Sequence, residues 1–106
     1  MFDKKELRRI LQSINGVVIP GGDGDLAESG YSIISQEVIE YSRLQAEKGI
    51  LYPVLGICRG SQMIMQLASE EEILKPSDSS NLTLPLSLTK DAKHSKLFGF
   101  LKTYGK

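Results

Sequence analysis

Residues 53–62 read Pro-Val-Leu-Gly-Ile-Cys-Arg-Gly-Ser-Gln, a short apolar run that ends in Gly56-x-Cys58-x-Gly60 and leads into residues able to start a helix. A strand that turns sharply into a helix at a nucleophile exposes that side chain, and glycines on either side tolerate the tight backbone. A lone cysteine is most often a small buried hydrophobe, but its position at this turn favours a reactive role. Cys58 is therefore the candidate nucleophile.

Composition restricts the class of protein. The chain has 106 residues, of which 41% are hydrophobic and 25% charged, a balance typical of one soluble globular domain. Because 13 basic side chains balance 13 acidic ones, no bulk charge attracts nucleic acid or an anionic membrane. We expect no membrane span, because no apolar run reaches the roughly 18–20 residues that a span needs. The charged start also predicts no signal peptide in this chain.

The first two thirds of the chain alternate helices and strands. Apolar spacing and turn residues predict a helix capped by Asp3, a strand at 17–19, a helix from Tyr31 to Lys48 that stops at Gly49, and a strand at 53–57. A further helix is predicted after Cys58. Apolar side chains at helical spacing are expected to face the core, and they are Leu7, Ile10, Leu11, Ile14, Tyr31, Ile34, Val38, Tyr41, Met63, Ile64, Met65 and Leu67.

The last third of the chain has a different residue pattern. Residues 82–88 alternate leucine with smaller or polar residues, which predicts a half-buried edge strand or hairpin arm, with Pro85 favouring an edge. A short helix is expected from His94 to Leu101.

Topology links the two glycine-rich turns. A strand, a helix and a second strand form a unit whose crossover is right-handed in about 98% of cases, so both strands run parallel. Their carboxyl ends then meet at one sheet edge, where open α/β sheets bind ligands. We therefore expect the N–H groups of Gly21 and Gly22 near the Cys58 sulfur, with the N–H of Arg59 as a further donor. Converging donors form an oxyanion hole, in which each donor is worth about 10²–10³ in rate.

Three stretches of the sequence resemble the γ-glutamyl hydrolase family. They are Ile-Asn-Gly-Val-Val-Ile-Pro-Gly-Gly at 14–22, Tyr-Pro-Val-Leu-Gly-Ile-Cys-Arg-Gly at 52–60, and Leu-Pro-Leu-Ser-Leu-Thr at 84–89 with His94-Ser95 downstream. These proteins are thiol hydrolases of peptidase family C26, related to the class I glutamine amidotransferases. The amidotransferases share the turn at Cys58, so the Leu-Pro-Leu stretch and the His-Ser pair favour the hydrolases.

The resemblance implies a fold and an activity. The fold would be α/β, with residues 1–106 as the central portion of a flavodoxin-like, three-layer α/β/α domain that is incomplete at both ends. The activity would be cleavage of γ-glutamyl amide bonds, as in folylpoly-γ-glutamate, through an acyl group on Cys58. By the same resemblance the partner is a small γ-glutamyl substrate, and no cofactor or metal is expected. The family is lysosomal, vacuolar or secreted, but the location of this chain stays open because no signal peptide is predicted in it. Unpaired sheet edges make a homodimer an option.

Site residues are carried over from the family position by position. Cys58 matches the nucleophile, and Gly22 and Arg59 match the residues whose backbone N–H groups stabilise the oxyanion. Contacts with the substrate are expected from Gly21, Tyr31, Gly60 and His94.

One departure from the family bears on activity. The family's general base is a histidine in a downstream Trp-His-Pro type segment, whereas this chain has no tryptophan, one histidine and no His-Pro pair. His94 is the alternative base, although a surface or substrate-proximal role fits it better. Three interpretations stay open: a γ-glutamyl hydrolase completed outside this chain, as in a fragment or truncated gene model; an amidotransferase-type glutaminase that feeds ammonia to a synthase; and a catalytically incomplete, non-enzymatic remnant.

Overall fold

The computed structural model describes residues 3–23 and 25–103. The chain forms two compact units, residues 1–76 and residues 77–106. The elements of the first unit are helix α1 (Lys4–Ser13), strand β1 (Val17–Ile19), helix α2 (Gly30–Glu47), strand β2 (Val54–Gly56) and helix α3 (Arg59–Ser69). The second unit contains two short 3₁₀ helices, Lys90–His94 and Gly99–Thr103.

Strands β1 and β2 form a two-stranded parallel sheet, with α2 as the crossover between them. Val17 pairs with Val54, and Ile19 pairs with Gly56 at the carboxyl ends. The ladder continues one step further, because the N–H of Ile57 donates to the carbonyl of Ile19 at 3.0 Å. The predicted parallel pairing is confirmed, and the fold class is α/β. The chain therefore leaves both strands at the same edge of the sheet.

Local signals set the ends of the first two helices. The Asp3 carboxylate accepts hydrogen bonds from the backbone N–H groups of Lys5 and Glu6, which caps α1. The Ser29 hydroxyl accepts from the N–H of Ser32 and caps α2. At the other end of α2, Gly49 has a φ of +76°, a conformation that glycine adopts without strain. The predicted cap at Asp3 and stop at Gly49 are confirmed.

The core of the first unit lies on one face of the sheet. Leu11, Val38, Tyr41 and Tyr52 form a buried cluster, and Leu7, Val17 and Val54 pack against it. The rings of Tyr41 and Tyr52 meet edge to face, with centroids 4.9 Å apart. The Tyr52 hydroxyl donates to the carbonyl of Leu11 at 2.9 Å, so its one polar atom is satisfied within the core.

The opposite face of the sheet is open within the described residues. Val18 is 57% exposed and Leu55 43%, although both lie in strands. Several predicted core positions are likewise wrong, because the side chains of Ile10, Ile14, Ile34 and Met65 are exposed. Helical spacing places these residues on an apolar face, but no neighbouring element in the described chain covers that face. Met63, by contrast, is fully buried.

The second unit differs from its prediction. No strand forms among the described residues from Ser77 onward, and Leu82, Leu84, Leu86 and Leu88 are all exposed. The alternating pattern requires a partner strand for its backbone hydrogen bonds, and this part of the chain supplies none. The predicted helix from His94 to Leu101 is replaced by the two 3₁₀ helices. No helix in the described part of the chain has the length and apolar character that a membrane crossing requires.

Candidate active site

Cys58 lies at the turn between β2 and α3 with a strained backbone. Its φ is +54° and its ψ is −112°, a conformation that residues with a side chain rarely adopt. The Cys58 carbonyl accepts hydrogen bonds from the N–H groups of Ser61 and Gln62 at 3.1 and 3.2 Å. It also accepts from the Ser61 hydroxyl at 2.7 Å. Hydrogen bonds from the start of α3 therefore hold the Cys58 backbone in this conformation. Cys58 itself is exposed.

The two glycines beside Cys58 allow a very close approach of the backbone. A Cβ atom on Gly60 would lie 2.0 Å from the carbonyl oxygen of Ile19, and one on Gly56 would lie 2.5 Å from the carbonyl oxygen of Gly60. No side chain can occupy such positions without a shift of the backbone. Gly60 thus packs under the turn against β1, and its contact with a substrate stays a prediction.

Gly21 packs directly against the Cys58 side chain. A Cβ atom on Gly21 would lie 2.9 Å from the Cys58 Cβ and 3.5 Å from the Sγ. Gly22 follows with a φ of +145°, where a side chain would be strained. Within the described residues, neither glycine donates its backbone N–H to another protein group. The predicted approach of the glycine turn to Cys58 is found, while the oxyanion role of these N–H groups stays a prediction.

A small cavity lies at the glycine turn, next to residues that contact or adjoin Cys58. Its volume is about 130 Å³. The lining residues come from the β1 turn, the start of α2 and the start of α3, and they are Pro20, Gly21, Gly22, Asp23, Tyr31 and Arg59. Cys58 adjoins this cavity through Gly21 and through its chain neighbour Arg59. Arg59 also lines a larger, more open cavity of about 500 Å³ on the side of Asp25 and Glu72.

The other predicted site residues divide between the two units. The Tyr31 hydroxyl donates to the carbonyl of Pro20 at 2.9 Å, so Tyr31 reaches the glycine turn from α2. The Arg59 guanidinium donates to the side-chain carbonyl of Gln62 at 3.1 Å. His94 belongs to the second unit, where it ends a 3₁₀ helix and is exposed. Among the described residues, no three His, Cys, Asp or Glu side chains form a group that could hold a metal ion.

Two contributors to the site were missed from the sequence. The Ser61 hydroxyl donates a hydrogen bond to the Cys58 carbonyl. A serine in the first turn of a helix often bonds the nearby backbone, so this contact could have been predicted from the sequence. Pro20 anchors the Tyr31 hydroxyl through its carbonyl across 11 residues of chain. The spacing of residues along the sequence does not predict a hydrogen bond from a side chain to so distant a backbone carbonyl.

Comparison with known proteins identifies the family. No protein-family model matches the chain. The γ-glutamyl hydrolase of Rattus norvegicus is 35% identical over 89 residues, which cover 84% of this chain and 28% of that protein. The γ-glutamyl hydrolase of Homo sapiens is 32% identical over 95 residues, which cover 90% of this chain and 30% of that protein.

The chain belongs to the γ-glutamyl hydrolase family. It spans less than a third of the length of the γ-glutamyl hydrolases that it matches. A more distant likeness reaches the CTP synthase of Pelagibacter ubique, which is 35% identical over 100 residues, or 86% of this chain and 17% of that protein. The turn at Cys58 therefore lies in a chain that covers less than a third of its γ-glutamyl hydrolase relatives.

Proposed function

We propose that this chain carries the nucleophile and the oxyanion donors of an enzyme that hydrolyses γ-glutamyl amide bonds of the folylpoly-γ-glutamate type. The observation that carries the proposal is the exposed, strained Cys58 with Gly21 packed against its side chain. Membership of the γ-glutamyl hydrolase family supports the substrate class. A buried thiol, or a glycine turn on another side of the molecule, would have given no such support.

The first half of the reaction forms an acyl group on Cys58. The thiolate attacks the γ-carbonyl carbon, and the carbonyl oxygen becomes an oxyanion that the N–H groups of Gly22 and Arg59 stabilise. The intermediate collapses with cleavage of the C–N bond, and the departing amine takes up a proton. A γ-glutamyl thioester on Cys58 remains.

The second half releases the acyl group. Water attacks the thioester carbonyl, the same N–H groups stabilise the new oxyanion, and cleavage of the C–S bond returns the thiol and a free γ-carboxylate. Both halves need a group that moves protons. The only histidine of the chain, His94, stands outside any Trp-His-Pro segment. We therefore expect this chain by itself to be acylated by activated substrates and to hydrolyse amides very slowly.

We further propose that residues 1–106 form the central portion of a three-layer α/β/α domain of the flavodoxin-like, glutamine amidotransferase-like type. The open sheet face at Val18 and Leu55 supports this, since a third layer would cover it. In such a domain Tyr31, Gly21 and Gly60 would lie near the γ-glutamyl group. A contact of His94 with the substrate stays a prediction from the family resemblance.

A γ-glutamyl p-nitrophenyl ester tests the proposal with this chain. Because the phenolate leaves without a proton, acylation needs no general acid, and the buffer takes up the proton of the Cys58 thiol. We expect a burst of p-nitrophenolate close to one equivalent per Cys58. Cys58→Ala should abolish the burst, whereas Gly30→Ala should keep it, because a Cβ on Gly30 would meet nothing within 4 Å. Added hydroxylamine should convert the acyl group into γ-glutamyl hydroxamate. A wild-type chain that gives no burst would contradict the proposal.

A glutaminase is the second candidate, and the likeness to CTP synthase favours it. Free glutamine separates the two candidates, because a glutaminase would release ammonia from it and the hydrolase would prefer a γ-glutamyl oligomer. If Cys58 reacts with neither substrate, and with iodoacetamide no faster than a free thiol, the chain is a non-enzymatic remnant.

A further inference from the structure

The Tyr31 hydroxyl holds the peptide that begins the glycine turn. It donates to the Pro20 carbonyl at 2.9 Å, and this oxygen belongs to the peptide unit that also carries the Gly21 N–H. The described peptide bonds are all trans, so the carbonyl and the N–H lie in one plane and point in opposite directions. A bond that fixes the oxygen therefore fixes the direction of the Gly21 N–H as well.

The glycine turn needs such an external restraint. Gly21 and Gly22 lack a Cβ and populate many backbone conformations, so their own preferences do not set the orientation of the turn. Neither N–H bonds another group among the described residues. Because Gly21 lies 3.5 Å from the Cys58 sulfur, measured from its ideal Cβ position, a rotation of this peptide changes which groups face the sulfur.

The anchor itself is firmly held. Tyr31 is the second residue of α2, and hydrogen bonds hold the segment around it, residues 25–32. The Ser29 hydroxyl donates to the Asp25 carbonyl at 2.6 Å, the Asp25 carboxylate accepts from the N–H of Ala27 at 2.9 Å, and the Ser32 hydroxyl donates to the Ala27 carbonyl at 3.0 Å. The Tyr31 ring thus extends from a fixed helix start to the Pro20 carbonyl.

We propose that Tyr31 is a positioning residue that orients the Pro20–Gly21 peptide so that the glycine turn presents its N–H groups beside Cys58. The inference rests on the proposed function, since the Gly22 N–H, one of the donors proposed for that reaction, belongs to the next peptide along the chain. Tyr31 acts through Pro20 and needs no contact of its own with the reacting atoms.

The test compares Tyr31→Phe with Tyr52→Phe. Each substitution removes one hydroxyl that donates to a backbone carbonyl at 2.9 Å, but the Tyr52 bond lies in the core at Leu11. Phe keeps the ring at both positions, and circular dichroism verifies that both variants are folded. With the γ-glutamyl p-nitrophenyl ester, we expect Tyr31→Phe to lower the limiting acylation rate of Cys58 about tenfold or more at an unchanged substrate Kd. Tyr52→Phe should leave that rate unchanged.

Two further readouts separate positioning from other roles. Alkylation of Cys58 by iodoacetamide forms no oxyanion, so Tyr31→Phe should not alter its rate. The NMR chemical shift and hydrogen exchange of the Gly21 amide should change in Tyr31→Phe and stay as in the wild type in Tyr52→Phe.

Each outcome decides a different claim. A Gly21 amide that is unchanged in Tyr31→Phe overturns the inference, whatever the acylation rate. A changed amide with an unchanged limiting rate also overturns it, and so does an effect on substrate Kd alone, which would indicate direct contact with the substrate. If the wild type is not acylated at all, the proposed function fails, and the Gly21 amide still decides whether Tyr31 holds the turn.

Discussion

Gly21 and Cys58 lie in contact across the carboxyl ends of two parallel strands, with the ideal Cβ position of Gly21 2.9 Å from the Cys58 Cβ. The contact follows from the pairing of Ile19 with Gly56, which brings the two turns to one edge of the sheet. It places the proposed nucleophile on one turn beside the proposed backbone donors on the other.

Gly21→Ala should separate the turn from Cys58. The new methyl group would lie closer to the Cys58 Cβ than real Cβ atoms approach, and the Pro20–Gly22 segment must shift to relieve the contact. We expect the acylation rate with the γ-glutamyl p-nitrophenyl ester to fall about 10²-fold, because the donors no longer face the oxyanion. Gly30→Ala is the matched control, and equal rates for the two variants would argue against the assigned donors.

Gly60→Ala should destabilise the first unit. Its Cβ would lie 2.0 Å from the Ile19 carbonyl oxygen, a backbone atom that cannot move without disturbing β1. We expect the free energy of unfolding in urea to fall by about 3 kcal/mol. A urea midpoint equal to that of Gly30→Ala would show that the close approach of α3 to β1 is not maintained in solution.

Cys58→Gly should be more stable than Cys58→Ala. Both variants lack the thiol, but only glycine adopts a φ of +54° with a ψ of −112° without strain. Relief of that strain outweighs the larger chain entropy of glycine in the unfolded state, so we expect a difference of about 1 kcal/mol in the free energy of unfolding. Equal stability of the two variants in urea would contradict a strained turn.

High pH should destabilise the core through Tyr52. Burial raises the pKa of the Tyr52 hydroxyl, and the nearby Tyr41 raises it further. A raised pKa means that the folded state favours the neutral phenol. The neutral phenol therefore contributes fully to the free energy of unfolding below the usual tyrosine pKa of about 10. This contribution is lost as the pH rises through the higher pKa of the folded state.

Tyrosinate absorbance at 295 nm measures this effect. The wild type should show a late-titrating tyrosine that Tyr52→Phe lacks. A titration in which Tyr52→Phe removes an ordinary tyrosine, with a pKa near 10, would be inconsistent with the burial of this hydroxyl.

The elements of the first unit were predictable because their signals are local. Asp3 caps α1, Gly49 ends α2, and β-branched residues mark β1 at 17–19. The parallel pairing followed from the fixed handedness of the crossover and needed no contact information. The approach of Gly21 to Cys58 was therefore predictable from order along the chain.

What the sequence did not predict depends on neighbours in space. Helical spacing shows that Ile10 and Met65 share faces with core residues, but it does not show whether another element covers them. The alternation at 82–88 likewise specifies a strand only when a partner strand is present. The bond between Tyr31 and Pro20 joins a side chain to a distant carbonyl, and residue type alone does not reveal it.

Mass spectrometry of the chain after reaction with the γ-glutamyl p-nitrophenyl ester addresses the nucleophile most directly. We predict a mass increase equal to one γ-glutamyl group, located on the peptide that contains Cys58 and absent from Cys58→Ala. An unmodified Cys58 in folded protein, with its thiol still open to iodoacetamide, would contradict the assignment of Cys58 as the acylated nucleophile.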